Sequence, residues 1–325
     1  MSGSVLLGGG LRTPALGYGM IPLSGGYGPL RELDALDLIH YVIDRGGGFF
    51  DAADTYGDGA VEELLGRALA RRRSDRVCVA TKIGLVDGGR GGVSNDPSYL
   101  RSALEMSLRR LRVDRIDLLY LHRVAPHVPI EDTVGAMADF VRDGMVEHLG
   151  LSEVTAVELE VAVSVHPIAA VQSEWSIWSR DIERYVIPAA AKAGVGIVAS
   201  SPLGRGFLAG RTEPPLPGDQ RRRLPRFEPE HRPANLAVAR ELEDLAREAN
   251  MTPAQLAIGW LIAAARRAGV TMVPIPGTRS RSHFDENLAA ADRAVSPGTI
   301  TKIDALAGLV TGDRGNAKWL SFGRE

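Results

Sequence analysis

Cysteine is nearly absent from this sequence. Cys78 is the only one in 325 residues. It rules out an internal disulfide and fits a reducing compartment, so the cytoplasm is the expected location. Cys78 lies inside an apolar run, where a buried and inert thiol is expected. Long apolar stretches are missing too. None approaches the roughly 20 residues that a membrane span needs, and no basic segment followed by an apolar core opens the chain. No membrane association and no secretion signal are therefore expected. Charge of one sign is also lacking: 38 Lys and Arg face 40 Asp and Glu, a formal net charge of -2, which argues against a nucleic-acid partner. Arginine triplets at 71–73 and 221–223 have no aromatics interleaved as a stacking surface would. They read as a solvated helix end and a solvated loop. Finally, the motif G-x-G-x-x-G is absent; the nearest approach, Gly204-Arg-Gly206-Phe-Leu-Ala-Gly210, has the wrong spacing. That removes the main dinucleotide signature of a doubly wound open sheet.

The chain is rich instead in short β-type runs alternating with amphipathic helical stretches. Strands are expected over 16–20, 49–53, 77–82, 116–122, 146–152, 169–175, 196–201 and 271–276. Several are nearly continuous apolar runs, as strands covered on both faces are. Between them Val61, Leu64, Leu65 and Leu69 recur at helical spacing, as do Leu100, Leu104, Leu108 and Leu111, and Val134, Met137 and Val141. Helix starts are marked by Asp96-Pro97 and by the capping-box spacings Thr155…Glu158 and Thr252…Gln255. Eight strand–helix units in strict alternation predict one domain over residues 1–325, an α/β fold of the (β/α)8 TIM barrel type. An N-terminal β-hairpin around Gly8-Gly9-Gly10 would plug its bottom, and an extra helix is expected at the C-terminus. The proline- and charge-rich stretch 211–233 reads as a long loop after strand seven, and the glycine-rich run 87–92 as a loop after strand three.

In such a barrel the chemistry sits where strands end at their C-terminal tips. Four chemically distinct side chains fall there: Asp51 ends strand two with Tyr56 just beyond, Lys82 ends strand three and His122 ends strand four. Taken singly each has a bland reading, as turn chemistry, a solvated lysine or a core histidine. Together they suit carbonyl reduction, which needs a hydride at carbon and a proton at oxygen. A phenol has an ordinary pKa near ~10, and a neighbouring ammonium lowers it. A buried ammonium in turn needs a counter-charge. Lys82 would therefore acidify Tyr56, Asp51 would hold Lys82 charged, and His122 would hydrogen-bond the substrate oxygen.

These residues carry a resemblance. Phe50-Asp51-Ala52-Ala53-Asp54-Thr55-Tyr56-Gly57, Thr81-Lys82 and Leu119-Tyr120-Leu121-His122-Arg123 are similar to the signatures of the aldo-keto reductases. The likeness continues in order through Gly150-Leu151-Ser152-Glu153-Val154, Val171-Gln172-Ser173-Glu174-Trp175-Ser176 and Ser201-Pro202-Leu203-Gly204-Arg205-Gly206, and on to Pro274-Ile275-Pro276-Gly277-Thr278-Arg279 and Glu286-Asn287. It implies a catalytic tetrad of Asp51, Tyr56, Lys82 and His122, no metal, and NADP(H) as cofactor. It also implies that Ser152 and Gln172 bind the nicotinamide carboxamide and that Trp175, where relatives often have tyrosine, stacks on the ring. Ser201, Leu203 and Gly206 would line the pyrophosphate. Gly277, Thr278 and Arg279 open the segment before the last helix, whose N–H groups would attract phosphate, with Arg279 suited to the 2′-phosphate and Glu286 and Asn287 at the adenine side. His283 stands where relatives often carry arginine or glutamine. Gly19 and Met20 are expected at the cofactor and, with loop 23–27, Trp178 and Arg226-Phe227, at the substrate mouth.

The function so implied is NADPH-dependent reduction of aldehyde or ketone groups of small molecules to alcohols, by a monomer or homo-oligomer. The alternative is a cofactor-binding regulatory protein on the same fold, like the potassium-channel β subunits. A Schiff-base aldolase acting through Lys82 is disfavoured, because Asp51 would raise the amine pKa that this chemistry needs lowered. A metal site of Asp51, Asp54 and His122 would have Lys82 repelling the cation.

Overall fold

The computed structural model describes residues 3–70, 77–86, 92–316 and 320. The arginine triplet at 71–73 and most of the glycine-rich run 87–92 lie outside the described residues.

A hairpin of β1 (Ser4–Leu6) and β2 (Arg12–Pro14) precedes the main sheet. The sheet begins with β3 (Tyr18–Gly19), β4 (Phe49–Asp51) and β5 (Cys78–Ile83). A short hairpin of β6 (Leu85–Val86) and β7 (Gly92–Val93) follows. The sheet continues with β8 (Ile116–Leu121), β9 (Val146–Ser152), β10 (Ile168–Glu174), β11 (Gly196–Ser200) and β12 (Met272–Pro274). These eight strands stand in sequence order and every neighbouring pair is parallel. The sheet is curled so that its first strand meets its last. At the seam the Gly17 N–H donates to the Pro274 carbonyl at 3.0 Å and the Tyr18 hydroxyl to the Thr278 carbonyl at 2.6 Å. Glycine is required here: a Cβ on Gly19 would lie 2.6 Å from the Ile275 oxygen. The end strands are shorter than the sequence suggests because few ladder bonds cross this seam. Leu16 and Met20, just outside β3, are nonetheless fully buried.

Helices α1 (Glu32–Asp44), α2 (Ala60–Leu69), α3 (Pro97–Leu111), α4 (Ile130–Arg142), α5 (Ala156–Val165) and α6 (Val186–Ala193) alternate with the strands. Two helices, α7 (Arg232–Glu248) and α8 (Pro253–Arg267), precede β12, while α9 (Arg281–Ala290) and α10 (Pro297–Leu306) follow it. The expected caps form. Asp96 accepts from the Ser98 and Tyr99 amides, and both Thr155–Glu158 and Thr252–Gln255 close as reciprocal capping boxes. The stretch 211–233 is less open than a plain loop: it turns twice, at Gln220–Arg223 and Pro225–Phe227, and runs into α7. Among the described residues no helix is long and apolar enough to cross a membrane.

The two-residue period of a strand divides the core in two. Phe50, Leu119 and Leu121 pack outward against the helices. Phe49, Cys78, Ala80, Leu118, Tyr120, Val198 and Val273 fill the inside, so the barrel is a packed core rather than a channel. Cys78 is thus buried as expected, and burial raises its thiol well above the ordinary range. The hairpin closes the bottom: Leu7 belongs to the inner cluster and sits where a Cβ on Gly196 would be, at the start of β11. Leu7→Ala is expected to cost about 2–5 kcal/mol, the usual penalty of a cavity in a core. Denaturant unfolding checks it, and a loss under about 0.5 kcal/mol would show that the plug is no part of the core.

Candidate active site

The inner parity of the strands decides which side chains reach the top of the barrel. Phe49 points inward, so Asp51 does too; Cys78 and Ala80 put Lys82 inside, and Leu118 and Tyr120 do the same for His122. Asp51 and Lys82 are the first polar groups above an apolar interior, and His122 stands directly above Tyr120. Tyr56 arrives differently. After β4 the chain takes left-handed conformations at Gly57, Asp58 and Gly59 (φ 61°, 53° and 93°) before α2 begins. This tight turn brings the Tyr56 hydroxyl to 3.5 Å from Lys82 Nζ. The four expected residues therefore meet.

Lys82 is 1 % exposed, and its Nζ donates to Asp51 Oδ1 at 2.5 Å and to the Ala52 carbonyl at 2.8 Å. Burial alone would lower its pKa, but Asp51 and Tyr56 outweigh burial and raise it, so the amine is an ammonium. Asp51 Oδ2 accepts from Gln172 Nε2 at 2.7 Å. The ammonium also lies 5.1 Å from the Tyr56 ring centre and 5.7 Å from that of Tyr120. For Tyr56 the expected downward shift does not occur. Burial raises the phenol pKa by more than Lys82 lowers it, so the net shift is upward. The hydroxyl rests protonated beside the ammonium, whose charge opposes part of the upward shift. The His122 ring stands edge-on to Tyr56, 6.4 Å between centres, and its Nδ1 is buried with no described partner. Burial, then the cations Arg123 and Lys82, pull its pKa well below the ordinary value, so the ring is neutral.

Behind the tetrad lies a second polar group on the outward parity. Thr81 Oγ1 donates to the fully buried Glu62 at 2.5 Å, and Arg110 Nε donates to the same carboxylate at 2.7 Å. Asp54 shares this space with one carboxyl oxygen buried and without a partner. Burial and then the Glu62 charge push its pKa up to about 7.

Nearer solvent, a groove of about 400 Å³ runs between the β11 and β12 exits. Ser201, Leu203 and Gly206 line one wall; Gly277, Thr278, Arg279 and His283 line the other, with Glu286 and Asn287 on α9. The remaining expected cofactor residues lie elsewhere. Gly19 and Met20 are buried at the barrel seam, and Ser152 and Gln172 are buried beside the tetrad. Trp175 is 1 % exposed, with its indole N–H donating to Glu183 at 2.9 Å, so its face is covered rather than open to the groove. Trp178 likewise packs inside an aromatic cluster, 5.0 Å from Phe207 and 6.1 Å from Phe227.

Three groove arginines were not assigned to the cofactor from sequence: Arg205, Arg211 and Arg221. Arg221 corrects the solvated reading of its triplet. It pairs with Asp219 at 2.7 Å and lies over the Tyr27 ring at 5.6 Å. Asp219 stands two positions earlier in the chain, and only the fold of the loop brings Tyr27 to Arg221. Arg205 adopts φ 55° and reaches Glu174 at the tip of β10, 3.5 Å away. Arg279 donates to the carbonyls of Tyr27, Gly28 and Pro29 at 3.0–3.3 Å, tying the loop after β3 across the groove. The C-terminal segment contributes Arg314, bound to Glu153 at 2.5 Å and Asp181 at 3.3 Å. Nothing in the sequence announces that contact.

The Asp54 environment makes a prediction. A carboxyl raised in the fold keeps its proton while the unfolded chain gives it up. Between its ordinary 3.8 and about 7, folding is therefore weakened as pH rises. Asp54→Asn removes the penalty: the Tm at about pH 8 is expected to rise by a few degrees, with no gain near pH 4. Equal shifts at both pH values in thermal scans would refute the assignment.

Residues 15–307 match the Aldo/keto reductase family. A probable aldo-keto reductase of Glycine max is 41 % identical over 286 residues, covering 86 % of this chain and 82 % of its own. Among solved structures, a thermostable aldo-keto reductase crystallised with the inhibitor epalrestat superposes with a TM-score of 0.73 at 29 % identity, over 93 % of this chain and 99 % of that one. The glycerol dehydrogenase of Gluconobacter oxydans shares the fold, with a TM-score of 0.84 at 24 % identity over 97 % and 98 % of the two chains. The buried aspartate, lysine and histidine and the half-buried tyrosine thus sit on a barrel shared with known aldo-keto reductases, and this chain belongs to the aldo-keto reductase family.

Proposed function

We propose that the protein reduces aldehyde or ketone groups of small molecules to alcohols with NADPH. The observation that carries this reading is the buried Lys82–Asp51 pair with the Tyr56 hydroxyl 3.5 Å from the ammonium. A bound nicotinamide nucleotide would supply the hydride. Tyr56 would give its proton to the substrate oxygen, and Lys82 would stabilise the resulting phenolate. Asp51 keeps that lysine charged, which bars it from acting as an amine nucleophile. His122 is neutral and has one N–H to offer. With Nδ1 buried away from any described acceptor, that N–H is best carried on Nε2 and donated to the substrate oxygen.

The groove supports the choice of nucleotide. Arg205, Arg211, Arg221 and Arg279 line it, with Glu286 as an opposing carboxylate, which suits a ligand with several phosphates. The start of α9 adds backbone N–H groups beside Ser280 and His283. Arg279, flanked by Gly277 and Thr278, is our candidate for the 2′-phosphate. Ser152 and Gln172 would take the carboxamide next to the tetrad.

Two outcomes test this. Tyr56→Phe should bind NADPH like the parent but lose about 10²–10⁴ in kcat, the range for a general acid; stopped-flow absorbance on a panel of aldehydes measures it, and unchanged turnover would remove Tyr56 from the role. Arg279→Ala should weaken NADPH about tenfold or more, the worth of a charge-assisted hydrogen bond, and leave NADH nearly unaffected. Equal loss for both nucleotides in fluorescence titrations would reject the 2′-phosphate assignment.

A further inference from the structure

Ser152 and Gln172 are partners in register across β9 and β10. Each is held in one hydrogen-bonding direction by a charged neighbour. Gln172 is fixed by Asp51: a carboxylate only accepts, so the amide nitrogen must be the atom facing it at 2.7 Å, which leaves the Gln172 carbonyl oxygen to accept. Ser152 is fixed by Arg123. A guanidinium only donates, and Arg123 Nη1 lies 3.2 Å from Ser152 Oγ and 2.5 Å from the His122 carbonyl. The serine oxygen therefore receives a hydrogen bond, and its own proton meets no acceptor among the described residues. A register-paired donor and acceptor is the complement of a primary carboxamide in one orientation, its oxygen toward Ser152 and its NH2 toward Gln172.

We infer that Arg123 is a positioning residue that sets Ser152 as the donor of this pair and so selects one orientation of the nicotinamide carboxamide. The inference rests on the proposed use of a nicotinamide nucleotide. Arg123 is itself held for the task. Its carbonyl accepts from Asn95 Nδ2 at 3.1 Å, and Asn95 Oδ1 accepts from the Ala125 amide at 2.6 Å, which clamps the turn after β8. Glu153, next to Ser152, supplies opposite charge and is shared with Arg314. The guanidinium stays within reach of Ser152 because the turn is clamped below it and Glu153 faces it. It touches the His122 backbone and the Ser152 hydroxyl and acts on the cofactor only through them.

The test is calorimetric binding of NADPH and of its thionicotinamide analogue, whose sulfur is a poorer acceptor than oxygen. The parent protein should prefer NADPH by about fivefold to tenfold, the worth of one neutral hydrogen bond. Arg123→Met should bring that preference to within about twofold. Ser152→Ala should do the same, and the double variant should lose nothing more, because the two act on one hydrogen bond. Arg123→Gln keeps the site polar but can turn either way, and it should also lose the preference if the methionine variant folds poorly. Arginine variants that discriminate between the nucleotides as the parent does overturn the inference alone. A parent protein that binds neither nucleotide overturns it together with the reductase reading.

Discussion

An ammonium buried in the centre of a closed barrel is the constraint on which the rest of this structure depends. Lys82 and Asp51 are 1 % and 2 % exposed along their side chains. Taking either from water unpaired would cost several kcal/mol. Removing one partner would leave the other stranded, at about 3–5 kcal/mol. The pair is tolerable because its remaining valences are filled: the Ala52 carbonyl takes one ammonium proton and Gln172 satisfies the second aspartate oxygen. All of these groups must converge from separate strands. A parallel barrel does this, because alternate residues of every strand point to one axis at similar height. The glycine seam at Gly17 and Gly19 matters for the same reason, since an open sheet would expose the pair to water.

The field of that pair is felt by Tyr56, and burial and charge pull its proton in opposite directions. Burial prevails, so the phenol is a loaded acid rather than a phenolate. This is the resting state that the proposed acid role requires. The same surroundings act on His122 in one direction only. Burial and two neighbouring cations all oppose a further positive charge, so the imidazole stays neutral. Tyrosine and histidine are thus given different protonation behaviour by one set of charges.

Much of this was legible in the sequence because it is local. The apolar runs announced the strands, the Asp96, Thr155 and Thr252 caps announced helices, and residues at strand tips announced the tetrad. The direction of the Tyr56 shift was not legible, since it depends on how much protein surrounds the hydroxyl. The same limit applied to Trp175, whose covered face depends on Glu183, and to Arg221, whose partners Tyr27 and Asp219 come from a loop fold that no periodicity encodes. Arg314 was least visible of all. It lies 161 residues from Glu153 in the chain, and only the finished barrel brings the C-terminal segment over the β9 tip.

The two halves of the site obey opposite electrostatic logic, and the fold separates them accordingly. The groove half is open and lined by arginines, as the proposed phosphate-bearing ligand would require. The tetrad half is buried, and its charges are matched to neighbours: Lys82 to Asp51 and Arg314 to Glu153. In such surroundings a fixed hydrogen-bond direction is worth more than in water, because no solvent can replace a partner turned the wrong way. Aspartate orienting a glutamine and arginine orienting a serine are then two uses of one device. In the proposed site a charge held in place by its own partners decides which way a neutral neighbour faces, and that neighbour would meet the ligand without placing another full charge beside the reacting atoms.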